Sequence, residues 1–80
     1  MKINLLAFGI AKEVLGKNSI EYQLEDKATV GILKKSLMER YPAFSDLASL
    51  KIAVNEAYAQ DDREIHENDE VVIIPPVSGG

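Results

Sequence analysis

Val71-Val72-Ile73-Ile74-Pro75-Pro76-Val77-Ser78-Gly79-Gly80 closes the chain and carries its clearest structural statement. Four consecutive apolar, mostly β-branched residues read as a strand at the centre of a sheet, with one face buried and the other covered or bound. Two prolines follow. They fix φ and withhold two backbone donors, so the strand must end at Ile74. The remaining residues then form an extended tail, which divides the sequence into a domain over 1–74 and a tail over 75–80. Fully extended, Pro75 to Gly80 reaches about 20 Å, enough to enter a buried site on another protein. Gly79 and Gly80 lack Cβ atoms, so they pass through a slot that excludes other residues and leave a terminal carboxylate open to attack.

Working back from that strand, Leu50-Lys51-Ile52-Ala53-Val54 reads as another, turned at Asn55-Glu56 into a short Ala57–Gln60 strand that Asp61-Asp62-Arg63 breaks. Val30, Leu33, Leu37, Met38 and Tyr41 recur at helical spacing opposite Lys34, Lys35, Glu39 and Arg40. They predict a helix with Thr29 as N-cap and its apolar stripe in the core, ended by Pro42. Ala43 to Ser49 is expected to be loop. Toward the start, Ile3 to Phe8 is apolar on both faces, a central strand. Ile20, Tyr22 and Leu24 alternate with Glu21 and Gln23 as a half-buried one. The short Ala11–Leu15 segment and Gly16-Lys17-Asn18 between them favour an antiparallel pair. Several strands with a single main helix imply an α+β domain, a mixed sheet with the helix packed across one face. Phe8, Tyr58 and Ile74 fall near strand ends. They are either core or an apolar patch on the other face.

Composition excludes several functions. At 80 residues the chain has room for one small domain, and 46% hydrophobic with 28% charged residues is ordinary for a globular protein. No apolar run is long enough to span a bilayer, and the opening Met1-Lys2-Ile3-Asn4 stretch is unlike a secretory signal, so no membrane association and a cytoplasmic location are expected. Cysteine is absent, which removes disulfides, thiolate metal sites and a cysteine nucleophile. His66 stands alone among Glu64, Glu67, Asp69 and Glu70, and that stretch lacks the ligand order and central glycine of an EF-hand, so no metal is expected. Thirteen acidic against nine basic residues give a net charge of −4, and only Lys34-Lys35 places two bases together. No stripe for phosphates exists and nucleic acid is not an expected partner. The acidic balance serves solubility and suits a basic protein partner.

Taken together, Asp69 to Gly80, Ala53-Val54-Asn55 with Tyr58, Lys2 to Phe8 and Glu13-Val14-Leu15-Gly16 resemble the small sulfur-carrier subunit of molybdopterin synthase, within the ubiquitin-like β-grasp superfamily. The resemblance covers essentially the whole chain. It implies that Gly80 is the reactive residue: an adenylyltransferase of the ubiquitin-activating type uses ATP to adenylate its carboxylate, which becomes a thiocarboxylate. Pro75, Pro76, Val77, Ser78 and Gly79 would insert with it into the large synthase subunit, where sulfur passes to cyclic pyranopterin monophosphate. It further implies a heterotetramer, a chain with no bound cofactor and no catalytic acid or base of its own, and an interface through Phe8, Lys12, Tyr58 and Ile74. Lys12 stands where many members of that family carry arginine, and a lysine lacks the bidentate geometry. Two alternatives stand beside it: a carrier for thiazole or another sulfur pathway, which uses the same acyl-adenylate and thiocarboxylate chemistry, and a ubiquitin-like modifier, of a different class, whose Gly80 forms an isopeptide with lysines of target proteins.

Overall fold

The computed structural model describes residues 1–46 and 50–74. The expected tail over 75–80, and the end of the expected 43–49 loop, lie outside them. Strand β1 (Lys2–Ala7) leads into helix α1 (Gly9–Leu15) and strand β2 (Ser19–Gln23). Helix α2 (Val30–Arg40) and a 3₁₀ turn (Pro42–Asp46) follow, then β3 (Lys51–Val54), β4 (Ala57–Tyr58) and β5 (Glu70–Ile74).

The sheet runs in the order β2-β1-β5-β3-β4, so the Val71–Ile74 run lies at the centre. It pairs parallel with β1 (Leu5 opposite Val71, Ala7 opposite Ile73) and antiparallel with β3 (Ile52 opposite Ile73). β1 and β2 form the expected antiparallel pair, with Ile3 opposite Tyr22. Between them α1 ends at Gly16, whose φ of 83° is open to glycine at little cost and whose N–H donates to the Lys12 carbonyl at 2.8 Å.

α2 lies across one face. Ile3, Leu5, Ile52, Val54, Val71 and Ile73 from the strands bury against Val30, Leu33 and Leu37 from the helix. Its N-terminus is fully satisfied. Val30 N–H donates to Arg63 O, Gly31 N–H to Asp61 O, Ile32 N–H to the Thr29 hydroxyl, and Leu33 N–H to Thr29 O. The segment after β4 therefore serves as a second cap. A Cβ at Gly31 would come within 3.2 Å of the Asp61 carbonyl, which is why the backbones approach there only through glycine.

Three sequence expectations are corrected. Met38 is 36% exposed, because at about 100° per residue it stands about 105° round from the middle of the Val30–Leu33–Leu37 stripe, whereas half-buried Tyr41 lies closer to it. Pro42–Asp46 is a 3₁₀ turn instead of loop, and its Phe44 is completely buried, ring edge toward Tyr41 at 6.0 Å between centroids. One aromatic in a polar stretch has no periodicity to reveal it. β4 stops at Tyr58, two residues short of the expected Gln60, because the chain turns away to cap α2.

The β3–β4 connection is a two-residue turn with both central residues left-handed, Asn55 at φ 52° and Glu56 at φ 71°. Asparagine tolerates this conformation, but glutamate does so at a cost. Glu56→Gly is expected to raise stability by about 0.5–1 kcal/mol, read from the midpoint of urea unfolding.

Candidate partner interface

Alternation along the strands decides what the face opposite α2 displays. Residues paired across a sheet point to the same side, so Leu6, Val72, Ala53 and Tyr58 form one row over four strands: Leu6 is opposite Val72, Val72 opposite Ala53, and Ala53 opposite Tyr58. Leu6 and Val72 are half-buried, and Tyr58 is 71% exposed. One step further along β5, Ile74 is half-buried opposite Lys51, whose ammonium lies 5.5 Å from the Tyr58 ring centroid. Phe8 keeps an extended backbone (φ −131°, ψ 161°), so it faces the same side as Leu6, and it is 58% exposed. β1 and β5 run parallel with Ala7 opposite Ile73, which places Phe8 level with Ile74.

The structure thus puts Phe8, Tyr58 and Ile74 on one open, apolar face and settles the choice between core and surface. Tyr58 and Ile74 line a shared hollow of about 340 Å³ with Ala53, Val72, Glu56 and Glu70. Lys12 is exposed on α1, which starts at the sheet end where β5 finishes, but it lines a different hollow with Gly9, Ile10, Glu13 and Gly16. Gly80, Gly79, Ser78, Val77, Pro76 and Pro75 lie outside the described residues. Leu6 and Val72 escaped the sequence reading although their signal was present: Leu6 stands two residues before Phe8, and Val72 two before Ile74, the period of a strand face.

The hairpin that carries Tyr58 is anchored by Asp69. Its carboxylate accepts hydrogen bonds from Asn55 Nδ2 at 2.9 Å, His66 N–H at 2.8 Å and Arg63 Nη1 at 3.2 Å. Asn55 also bonds β5 directly, accepting from Glu70 N–H through its side chain and donating its own N–H to Glu70 O, each at 2.9 Å. Burial alone would raise the Asp69 pKa. The His66, Asn55 and Arg63 bonds, with the Arg63 charge, outweigh it and hold the carboxyl below its ordinary 3.8. A depressed folded-state pKa contributes stability above the unfolded value and loses it as pH falls through the folded one. Between pH 5 and pH 3 the domain is therefore expected to lose more stability than its Asp69→Asn variant, measured by urea unfolding at both pH values. This assigns Asp69 a structural task. His66 is exposed, and among the described residues no three His, Cys, Asp or Glu side chains are grouped to hold a metal. No helix among the described residues is long and apolar enough to cross a membrane.

A mixed five-stranded sheet holding one main helix on one face, with the other face apolar and open, is the ubiquitin-like β-grasp architecture. The sequence of residues 5–80 matches the model of the ThiS family, and the chain belongs to that family. It is 41% identical to the molybdopterin synthase sulfur carrier subunit of Dictyostelium discoideum, with 99% of this chain and 96% of that protein covered. It is 30% identical to small archaeal modifier protein 3 of Haloferax volcanii, with both chains fully covered. Among solved structures, a putative molybdopterin converting factor subunit 1 from Pyrococcus furiosus superposes with a TM-score of 0.85 at 27% identity, over 96% of this chain and 99% of the other.

Proposed function

We propose that this chain is the sulfur carrier of a molybdopterin synthase and works through the Gly80 carboxylate. The observation that carries this reading is the similarity to the Dictyostelium carrier subunit over nearly the full length of both proteins. A carboxylate is a poor electrophile. Attack of its oxygen on the α-phosphate of ATP, in a ubiquitin-activating-type adenylyltransferase, expels pyrophosphate and leaves an acyl adenylate. A persulfide sulfur displaces AMP, and a thiol cleaves the resulting acyl disulfide to free the thiocarboxylate. That sulfur then attacks cyclic pyranopterin monophosphate in the large synthase subunit, and hydrolysis restores the carboxylate. Two carriers serve each dithiolene, in keeping with a heterotetramer. Acids and bases for these steps come from the partners, as the open face offers a docking surface and no polar side chain is buried among the described residues.

On this reading the large subunit covers the row from Leu6 to Tyr58, and the tail leaves Ile74 beside it. Replacing Tyr58 with Ala is expected to weaken the complex with the large subunit about 10–30-fold, by calorimetry, with no loss of thermal stability because the ring is already exposed. Unaltered affinity would remove this face from the interface. The function itself is tested by combining the chain with ATP, the activating enzyme, a sulfur donor, the large subunit and the pterin precursor. Dithiolene product supports the carrier reading. The Haloferax relative favours a second reading, a protein modifier joined to lysines through Gly80. Conjugates on target lysines with no dithiolene product would establish that one instead.

A further inference from the structure

The open face is graded in charge as well as apolar, and the gradient describes what lies on it. Beside the apolar row runs an acidic one: Glu21 is opposite Asn4, Asn4 opposite Glu70, and the turn residue Glu56 borders Glu70 in two adjoining hollows. On the other side of the apolar row stand Phe8, Ile74 and Lys51, at the sheet end where the chain leaves β5. Glu56 and Glu70 are exposed, and among the described residues neither carboxylate has a cationic partner. Two bases on this side of the molecule are otherwise engaged: Arg63 bonds Asp69 and the Glu64 carbonyl, and Lys51 stands over Tyr58. Lys2 lies one row beyond Asn4, opposite Gln23, and makes no ion pair among the described residues.

We infer that the protein covering this face places an arginine or lysine side chain in the Ala53–Tyr58–Val72 hollow, its aliphatic stem on Val72 and its cationic head between Glu56 and Glu70. This rests on the docking face proposed above and adds the chemistry and orientation of the partner. The hollow joins an apolar floor to two unpaired carboxylates at one end, a combination that fits a basic side chain, whose stem is apolar and whose tip is charged. A small cation would gain nothing from the apolar floor, and no metal-holding cluster forms among the described residues. Because the basic residue sits at the Glu56–Glu70 end and the tail departs from the Ile74–Lys51 end, the gradient also fixes which way round the partner lies. Charge-matched contacts of this kind act on encounter rate and register more than on the lifetime of the apolar contact.

The test is binding of the intact chain to the large synthase subunit by surface plasmon resonance at low and high salt, comparing the natural chain with a Glu56→Gln, Glu70→Gln double variant. The variant is expected to lose about tenfold in affinity at low salt, mostly through slower association, and to show a flattened salt dependence. A matching loss on replacing one basic interface residue of the large subunit by Gln, with no further loss when both changes are combined, identifies the paired side chain. If the natural chain binds and the double variant binds equally at all salts, the inference is overturned and the docking face stands. If the natural chain fails to bind the large subunit at all, both fall.

Discussion

On the carrier reading, deleting Gly80 is expected to abolish sulfur transfer and to leave the unfolding midpoint of the domain where it was. The two halves of this expectation have separate physical origins. Every buried side chain among the described residues lies between Ile3 and Ile73, and a glycine has no side chain to bury, so its removal is expected to leave that core intact. The chemistry depends on where the carboxylate arrives. Removing one extended residue withdraws it by about 3.5 Å, and even 1 Å of misplacement costs about 100-fold in a reaction that relies on positioning. Adding a residue after Gly80 is expected to be as damaging, because the carboxylate that should be activated becomes an internal amide. Activity above about 1% of the natural rate in the shortened chain would separate sulfur transfer from Gly80. A fall in the unfolding midpoint would show that the tail contributes to the fold.

The largest effect on stability is expected at Phe44. It is fully buried, packs edge-on against Tyr41, and plugs the end of the core just after α2. Phe44→Ala removes most of an aromatic side chain from a site closed on all sides, at a cost of about 3–5 kcal/mol from lost burial and the cavity left behind. Small domains have only about 5–15 kcal/mol to lose. The variant should therefore unfold at a much lower urea concentration, or be unfolded outright at 37 °C. Phe44→Leu should retain most of the stability, since it refills much of the volume. A cost below about 1 kcal/mol for the alanine variant would contradict the placement of Phe44 in the core.

Phe44 also marks where the sequence stops being legible. Strands and helices announce themselves by repetition: the apolar run of β5, the alternation of β2 and the Val30–Leu33–Leu37 stripe of α2 were each readable because several residues repeat one signal. Pro42, as a helix breaker, and Thr29, as a cap, were readable through backbone chemistry that acts alone. A single aromatic in Pro42-Ala43-Phe44-Ser45-Asp46 has neither support, and its burial is decided by a gap that only the assembled sheet and helix create. Met38 shows the reverse case, an apolar residue close enough to the stripe in sequence to be counted with it but turned outward by the helix.

The open face was legible in part. Phe8, Tyr58 and Ile74 stood out as large apolar residues near strand ends, yet the row that joins them depends on register. Val72 meets Leu6 on one side and Ala53 on the other only because β5 inserts between β1 and β3. A sequence does not state strand order, so although the Asn55-Glu56 turn sets Ala53 beside Tyr58, nothing showed that Val72 would lie on its other side. Glu56 and Glu70 were hidden for the same reason: acids in a turn and at a strand start are unremarkable until pairing sets them at one end of an apolar hollow. Asp69 was visible only as one of several acids, and its hydrogen bonds show that it fastens the hairpin carrying Tyr58 to the central strand.

The account turns on whether the last residue carries sulfur. The direct measurement is the intact mass of the protein after incubation with ATP, the activating enzyme and a sulfur donor, followed by fragmentation to locate any change. The account predicts one oxygen replaced by one sulfur, confined to Gly80 and absent when ATP is withheld. An unchanged mass, with the chain found instead in isopeptide linkage to lysines of other proteins, would contradict it.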